Sequence, residues 1–288
     1  MQVVRALTEL RRTVEEWRRA GARIGFVPTM GALHEGHLAL VRLARARADR
    51  VVVSIYVNPT QFAPHEDFAR YPRDEAGDLA KLRALAVDLA YLPAHEDMYA
   101  PDHASWVMVE GPSEGLCSLT RPHFFRGVAT VVAKLFHRVR PHFAVFGEKD
   151  FQQLRVVERM VRDLDMDVEV VPHPVVREAD GLALSSRNVY LSPDQRRVAP
   201  ALYRTLVETA RLLADGRPAA PELAAATDRL RAAGFDRVDY LELRESATLR
   251  PLERIGPAVR GRLLAAAWLG GTRLIDNVPV PPDAPGAG

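Results

Sequence analysis

The sequence predicts an α/β protein in which a Rossmann-like, doubly wound parallel sheet precedes a smaller C-terminal α/β domain. Two observations lead to this prediction. Through about residue 174, short apolar runs typical of buried strands alternate with amphipathic segments at helical spacing. Such alternation is typical of a parallel sheet that helices cover on both faces. Beyond that point the pattern changes, so we expect one domain at residues 1–174 and a second at residues 175–288.

The elements of the first domain follow from the spacing of its apolar residues. The sequence predicts helices within residues 1–23, 37–48, 78–87, 127–139 and 150–164. It predicts strands at residues 22–28, 51–57, 88–93, 142–147 and 167–172. Ligands of such sheets bind beyond the carboxyl ends of the strands. We therefore look for chemistry in the loops that follow Val27, Val57 and Phe146.

The second domain begins with a loop and continues with helices and then strands. Ser192-Pro193-Asp194 is a start signal for one long helix, and a second helix is expected near residues 221–233. Strands are expected at residues 238–245, 263–270 and 272–280. The tail from Val280 is rich in proline and glycine, so we expect it to be unstructured.

Composition and charge limit the classes of partner. The 39 basic and 37 acidic residues are interspersed and give a formal net charge of +2, which does not favour a nucleic-acid partner. Cys117 is the only cysteine, so the chain cannot form an intramolecular disulfide. The N-terminus is too rich in charge for a signal peptide, and no apolar run reaches the length of a membrane span. We expect a cytoplasmic protein without a nucleic-acid or membrane partner.

The first chemistry-bearing motif is PTMGALHEGH, residues 28–37, between a predicted strand and a predicted helix. Its two glycines allow a tight turn, and a helix N-terminus offers free N–H groups to a phosphate. His34 and His37 are three residues apart, so both rings can face one anion. The spacing of Gly31 and Gly36 is that of a P-loop, but His37-Leu38 replaces the Lys-Ser/Thr pair, which excludes that motif.

Two other interpretations of this histidine pair stay open. His-Glu-Gly-His resembles a truncated zinc motif, although its i, i+3 spacing differs and no third ligand is evident. Both histidines could also be ordinary polar residues at the start of a helix. Because glycines frame the pair directly after a buried strand, phosphate binding is the interpretation that the sequence favours.

Two further motifs offer cations and hydroxyl groups. FGEKD, residues 146–150, ends a strand, and Lys149 beside a helix start could reach a phosphate oxygen, although a solvated helix start explains the segment equally well. Only three of the basic residues are lysines, which adds interest to Lys149 because ammonium and guanidinium groups bind anions differently. In DGLALSSRN, residues 180–188, the Ser-Ser-Arg run supplies donors suited to a triphosphate.

The histidine loop and the distant Leu-Ser-Ser-Arg loop together resemble the HIGH-like and KMSKS-like signatures of the nucleotidyltransferase superfamily. Within it, PTMGALHEGH, SIYVNPTQF, RYPRD, GEKDFQQL and DGLALSSRN, followed by AAWLG and RLIDN, resemble the pantothenate synthetase family. The resemblance extends over nearly the whole chain. It implies an ATP-dependent ligase that converts pantoate to an acyl adenylate and joins it to β-alanine, releasing AMP and pyrophosphate.

The resemblance also implies which residues form the site. His37 would be the catalytic proton donor, Gln61 and Gln153 would bind pantoate, and Gln61 would also bind β-alanine. The residues implied in ATP binding are Met30, Gly31, Ala32, Leu33, His34, Glu35, Gly36, His37, Gly147, Glu148, Lys149, Asp150, Val176, Leu184, Ser185, Ser186 and Arg187. Members of the family are homodimers that need Mg²⁺, whose ligands the resemblance does not identify here. Residues 1–174 would bind nucleotide and pantoate, and residues 175–288 would form a lid.

One segment departs from the family pattern. The family has Arg-Pro-Gly-His-Phe-Arg-Gly-Val, whereas residues 121–128 read Arg-Pro-His-Phe-Phe-Arg-Gly-Val. His123 therefore stands at the glycine position, and Phe124 stands at the histidine position. This segment is accordingly left out of the expected site.

Three other functional classes share part of this pattern. A nucleotidyltransferase would leave the nucleotide on its product, and an aminoacyl-tRNA synthetase relative would need a surface for nucleic acid. A regulator that binds ATP without catalysis would release no pyrophosphate with any acid. Product analysis distinguishes these classes.

Overall fold

The computed structural model of the chain describes residues 1–63 and 66–282. Contacts between Cα atoms divide the chain into two compact units. The first unit comprises Met1–Val109, Arg121–Glu148 and Val156–His173. The second unit comprises Glu110–Thr120, Lys149–Arg155 and Pro174–Gly288. The functional division between residues 174 and 175 stays a prediction, and most of the proline- and glycine-rich tail, residues 283–288, lies outside the described residues.

The first unit contains a six-stranded parallel sheet, within the part of the chain that the structure describes. Its strands are β1 (Gln2–Val4), β2 (Ile24–Thr29), β3 (Arg50–Ile55), β4 (Leu89–Tyr91), β5 (Phe143–Gly147) and β6 (Glu169–His173). They lie in the order β1-β4-β3-β2-β5-β6, and each neighbouring pair is parallel. The predicted fold class is confirmed.

The helices before residue 174 alternate with these strands. They are α1 (Leu7–Arg19), α2 (Glu35–Arg47), α3 (Glu75–Ala84), α4 (His95–Met98), α5 (Cys117–Thr120), α6 (Phe124–Val139) and α7 (Phe151–Asp163). The prediction of helix from residue 1 is wrong at its start, because Gln2–Val4 pairs with β4 as a short edge strand. No helix among residues 1–63 and 66–282 has the length and apolar character to span a bilayer.

The order of the strands places the chemistry-bearing loops of the first unit side by side. From β2 the chain continues to β3 and β4 on one side, whereas β5 and β6 lie on the other side of β2. The sheet therefore changes direction between β2 and β5. Ligands of doubly wound sheets bind at this change of direction, beyond the carboxyl ends of the strands. The loops after Thr29 and Gly147 both leave the sheet at that point.

Apolar side chains fill both faces of this sheet. Val27 on β2 packs in a buried cluster with Leu40 and Val41 of α2. Phe26, the preceding residue, points to the other face and makes an edge contact with Phe136 of α6 at 6.3 Å between ring centroids. Alternate residues of one strand thus face two helical layers, which is why the parallel strands appear in the sequence as unbroken apolar runs.

The second unit is built on a three-stranded antiparallel sheet. Its strands are β7 (Arg237–Glu245), β8 (Gly261–Leu269) and β9 (Thr272–Val280), and its helices after residue 174 are α8 (Pro193–Val198), α9 (Ala201–Ala214) and α10 (Ala219–Ala232). The prediction of one long helix after Ser192 is wrong. Ser192 and Gln195 do form a capping box, but α8 ends before Pro200, which has no N–H for a helical hydrogen bond.

We expect Gly25→Ala to destabilise the protein by about 1–3 kcal/mol, because a new methyl group must fit into a packed core. A Cβ atom at this position of β2 would lie 2.7 Å from Cζ of Phe143 and 3.1 Å from Cβ of Ala48. Urea denaturation measures the change. Gly256→Ala is the control, since a Cβ there has no neighbour within 4 Å. Equal stability of the two variants would contradict the prediction.

Candidate active site

The loop between β2 and α2 takes a conformation that only a few residues favour. Gly31 and Ala32 have φ angles of 80° and 50°, in the left-handed region. The carboxylate of Asp78 on α3 accepts hydrogen bonds from the backbone N–H groups of Ala32, at 2.8 Å, and Leu33, at 2.7 Å. Lys81 Nζ donates to the Leu33 carbonyl at 2.7 Å. Side chains from α3 therefore hold this loop through both its N–H and its carbonyl groups.

Asp78 is a buried carboxylate, with 1% of its surface exposed. Burial raises the pKa of Asp78 above its usual value, whereas the hydrogen bonds from the Leu33 and Ala32 amides favour its charged form. Lys81 Nζ lies 3.9 Å from the carboxylate and also favours the charge. Sequence analysis did not identify Asp78, because its partners in the loop are more than forty residues away along the chain.

The two histidines of the loop form one cluster at the start of α2. His34 is the N-cap residue, and its Nδ1 accepts from the Gly36 N–H at 3.1 Å. His37 Nδ1 accepts from the His34 N–H at 3.4 Å, and the ring centroids are 4.1 Å apart. Since each Nδ1 accepts a hydrogen bond, the neutral rings carry their protons on Nε2. The helix entrance thus presents two imidazole N–H donors together with the backbone amides of its first turn.

Gln61 lies beside this loop in the first unit. Its Nε2 is 3.1 Å from Sδ of Met30, and its Oε1 accepts from Asn58 Nδ2 at 3.2 Å. Asn58 also donates to the Gly127 carbonyl at 3.2 Å. A Cβ on Gly127 would lie 2.5 Å from the Thr60 carbonyl oxygen, so only glycine allows α6 to approach this turn so closely. The structure thus brings Met30 and Gln61 together, with Asn58 and Gly127 as supporting residues that sequence analysis missed.

The departure at residues 121–128 has a structural explanation near Gln61. Arg121 donates to both carboxylate oxygens of Glu66, at 2.5 and 2.6 Å, and to the Gln61 carbonyl at 3.0 Å. Its guanidinium lies over the Phe124 ring, 3.8 Å from the centroid. The phenyl ring at the position of the family histidine therefore packs under an arginine that contacts the backbone of Gln61.

The remaining predicted residues of the first unit are at the end of β5. Gly147 closes this strand, and a Cβ on it would lie 4.0 Å from Cδ2 of Leu40 on α2. Glu148 begins a short 3₁₀ turn, Glu148–Asp150. The end of β5 therefore lies beside the helix that starts at the histidine pair.

The second unit contains the predicted cationic residue Lys149. Its Nζ lies 3.8 Å from the Asp150 carboxylate, and its backbone carbonyl accepts from Asn277 Nδ2 at 3.0 Å. Gln153, the predicted pantoate ligand, is half-buried. Its neighbour Gln152 is buried and bonds to the backbone of residues 112–117, so it holds that segment.

The serine–arginine loop is also part of the second unit. Leu184 N–H donates to the Val176 carbonyl at 3.0 Å, so the residues predicted before and within this loop are neighbours. Ser185 Oγ accepts from the Arg187 N–H at 3.2 Å and caps the 3₁₀ turn Ser186–Tyr190. The structure thus gathers Val176 with Leu184–Arg187.

The predicted site residues are accordingly distributed over the two units. The first unit contains Met30–His37, Gln61, Gly147 and Glu148, and the second contains Lys149, Asp150, Gln153, Val176 and Leu184–Arg187. Within residues 1–63 and 66–282, no group of three His, Cys, Asp or Glu side chains is arranged to hold a metal ion. The histidine pair does not belong to a three-ligand cluster of the kind that a zinc site uses.

Comparison with known proteins gives a match over almost the whole chain. Residues 2–279 match the family described as Pantoate-beta-alanine ligase. The pantothenate synthetase of Rhodospirillum rubrum is 56% identical over 280 residues, which are 97% of this chain and 99% of that protein. The pantothenate synthetase of Rhodopseudomonas palustris strain HaA2 is 57% identical over 281 residues, covering 96% of this chain and 98% of that protein.

Solved structures are similar over the same length. The crystal structure of a pantoate–β-alanine ligase from Thermus thermophilus has a TM-score of 0.91 and 49% identity, covering 98% of this chain and 100% of that one. A pantoate–β-alanine ligase from Francisella tularensis, crystallised with beta-gamma ATP and β-alanine, has a TM-score of 0.81 and 29% identity. That match covers 96% of this chain and 97% of the other.

We expect Asp78→Asn to loosen the loop between β2 and α2. An amide nitrogen donates where a carboxylate oxygen accepts, so one of the two loop N–H groups loses its partner. Hydrogen exchange at Ala32 and Leu33, followed by NMR, should become at least about tenfold faster, the scale of one lost bond to a charged group. The control is Asp74→Asn, which changes a carboxylate that caps α3 through Gly77 N–H. Unchanged exchange at both loop amides would contradict the prediction.

Proposed function

The chain belongs to the pantoate–β-alanine ligase family, and from this premise we propose that it condenses pantoate with β-alanine in an ATP-dependent reaction that releases AMP and pyrophosphate. The observation that carries the proposal is the match over residues 2–279, because that range includes every chemistry-bearing loop described above. The histidine pair at the entrance of α2 supports it with donors suited to phosphate.

The reaction needs a better leaving group than the oxygen of a free carboxylate. In the first half-reaction a pantoate carboxylate oxygen attacks the α-phosphorus of ATP, and the bond from that phosphorus to pyrophosphate breaks. In the second, the β-alanine amine attacks the acyl carbon, loses a proton, and AMP departs with the former carboxylate oxygen. The protein must therefore align the reactants and stabilise charge on the phosphates, and it needs no covalent intermediate.

In the first unit, we assign ATP binding to Met30–His37 together with Gly147 and Glu148. The Nδ1 atoms of His34 and His37 accept backbone hydrogen bonds, so their Nε2–H groups are suited to donate to phosphate oxygens, and His37 is assigned as the proton donor. Gln61 is assigned to pantoate and to β-alanine. Its carboxamide supports this assignment, since it lies in contact with Met30 of the same loop.

In the second unit, the ATP residues are Lys149, Asp150, Val176 and Leu184–Arg187, and Gln153 binds pantoate. Lys149 supplies a compact charge, and Arg187 supplies a planar group of donors that suits phosphate oxygens. Ser185 and Ser186 add hydroxyl donors. In this proposal residues 1–174 bind nucleotide and pantoate, whereas residues 175–288 act as a lid.

Mg²⁺ is the proposed cofactor. In ATP sites this ion is bound mainly by phosphate oxygens and water and needs only one or two carboxylates from the protein. Asp150 is a partly exposed carboxylate next to Lys149, so the donor set fits such an ion. Magnesium bound there would neutralise charge on the phosphates. On the family resemblance we also propose a cytoplasmic homodimer that acts on small molecules, without a nucleic-acid or membrane partner.

Product analysis tests the proposed function directly. With ATP, Mg²⁺, pantoate and β-alanine present, we expect AMP, pyrophosphate and pantothenate in equal amounts, measured by liquid chromatography and mass spectrometry. Omission of β-alanine should stop AMP release after one enzyme equivalent of adenylate, and omission of pantoate should stop pyrophosphate release. A stable adenylylated product would instead indicate a nucleotidyltransferase, and aminoacylated tRNA would indicate a synthetase relative. ATP binding without pyrophosphate release would indicate a regulator.

Lys149→Ala should lower the rate of adenylate formation by about 100-fold or more, the scale of one lost preorganised contact to developing charge. Pantoate-dependent pyrophosphate release in a single turnover measures this step. The control is Arg159→Ala, which removes a cation from α7, the helix that follows, where Arg159 pairs with Asp163. Near-normal pyrophosphate release by the Lys149 variant would remove this residue from the mechanism.

A further inference from the structure

Two adjacent polar residues of β9 are buried although neither belongs to the proposed site. Asp276 and Asn277 end the RLIDN segment and expose 4% and 2% of their surface. Buried charged and amide groups are costly unless each is satisfied by hydrogen bonds. Their partners therefore indicate what the two side chains do.

Asp276 holds Arg177 in a bidentate ion pair. The two guanidinium nitrogens Nη1 and Nη2 lie 2.7 and 2.9 Å from the carboxylate oxygens. Arg177 also donates to the Gly181 carbonyl at 3.0 Å, and its guanidinium lies over the Tyr203 ring at 3.8 Å. A planar guanidinium that is paired, stacked and largely buried has little freedom to move.

Arg177 lies at the base of the serine–arginine loop. It forms a β-bridge with Ala183, and Leu184 donates to the Val176 carbonyl. Asn188, just beyond the loop, donates to the Ala183 carbonyl at 3.1 Å. The backbone on both sides of Ser185–Arg187 is therefore tied to the segment that Asp276 holds.

Asn277 holds the segment that carries Lys149. Its Nδ2 donates to the Lys149 carbonyl at 3.0 Å, while its Oδ1 accepts from Arg262 Nε at 2.6 Å. The Arg262 guanidinium in turn lies over the ring of buried Phe151 at 4.2 Å. One amide thus fixes the backbone of Lys149 directly and supports the residue two positions later through Arg262.

The two side chains act on opposite faces of the same sheet. Leu274, Val278 and Val280, which alternate in step with Asp276, belong to the core cluster that includes residues of α9. Asn277 points to the other face, since successive side chains of a strand alternate. A single dipeptide can therefore hold one segment on each face, at a separation that the strand itself fixes.

We propose that Asp276 and Asn277 are positioning residues for adenylate formation, which hold the Ser185–Arg187 loop and Lys149 in a fixed arrangement within the second unit. This inference rests on the proposed function, because it takes the two segments to be the phosphate-binding parts of this unit. Neither residue needs to touch a substrate. Each acts through a backbone segment that carries groups assigned to ATP.

The first test compares Asp276→Asn with Asp239→Asn. Both substitutions weaken a buried carboxylate–arginine pair of the same sheet, with carboxylate side chains that are each 3% exposed. Asp239 pairs with Arg273 and Arg237, which lie on β9 and β7 rather than at the base of the serine–arginine loop. Asp276→Asn should lower the rate of adenylate formation by about 10- to 100-fold, the effect of a displacement near 1 Å. Asp239→Asn should stay within about twofold of the unmodified chain at a similar loss of melting temperature.

The second test uses Asn277→Asp, which has the same shape. The change removes the donor to the Lys149 carbonyl and keeps an oxygen for Arg262. We expect slower adenylate formation, with a lower kcat and a smaller change in the KM for ATP. If Asn277 acts through Lys149, adding Asn277→Asp to Lys149→Ala should cost less than a further twofold, because the two changes affect one group.

The outcomes separate this inference from the proposed function. Activity of the unmodified chain with normal adenylate formation in Asp276→Asn and Asn277→Asp would overturn the inference alone. Equal loss in Asp276→Asn and Asp239→Asn, or rate losses that multiply in the Lys149 double variant, would also overturn it. An unmodified chain that makes no pantothenate would overturn the proposed function and the inference with it.

Discussion

A buried carboxylate is the constraint on which the first half of the candidate site depends. The backbone at Gly31 and Ala32 is left-handed, a conformation that is unfavourable for alanine. Asp78 makes it stable by accepting two consecutive N–H groups, and in doing so it carries a charge into the interior. The direction in which α2 starts, and with it the position of His34, follows from this arrangement. The site in this unit is thus built by α3 as much as by the loop that carries the recognisable motif.

Much of the fold could be predicted from the sequence, because parallel strands buried on both faces appear as unbroken apolar runs. The errors have physical causes. Gln2–Val4 is a three-residue edge strand whose pairing with β4 depends on residues almost ninety positions away, so no local period reveals it. The helix after Ser192 was predicted as one element because its start signal and apolar spacing are regular. Pro200 interrupts it, since the ring removes one N–H donor.

The candidate site was predictable only where its chemistry is local. Histidines framed by glycines, and the Ser-Ser-Arg run, carry their meaning within a few residues. Their supports do not, because they act through tertiary contacts. Gln152 resembles any surface amide in the sequence but is buried against the backbone of residues 112–117, and Asn277 reaches a carbonyl 128 positions away. The residues that bind are therefore easier to predict than the residues that hold them in place.

The close approach of α6 to the turn at Pro59–Gln61 has a consequence for altering the choice of acid. Gly127 is already the smallest residue, and the backbone of Thr60 lies where its first carbon would be. Substitution at this position can only push the Gln61 carboxamide away from the helix and cannot make room behind it. A variant that accepts a bulkier acid must therefore gain its space from other walls of the pocket, because this wall is made of main chain on both sides.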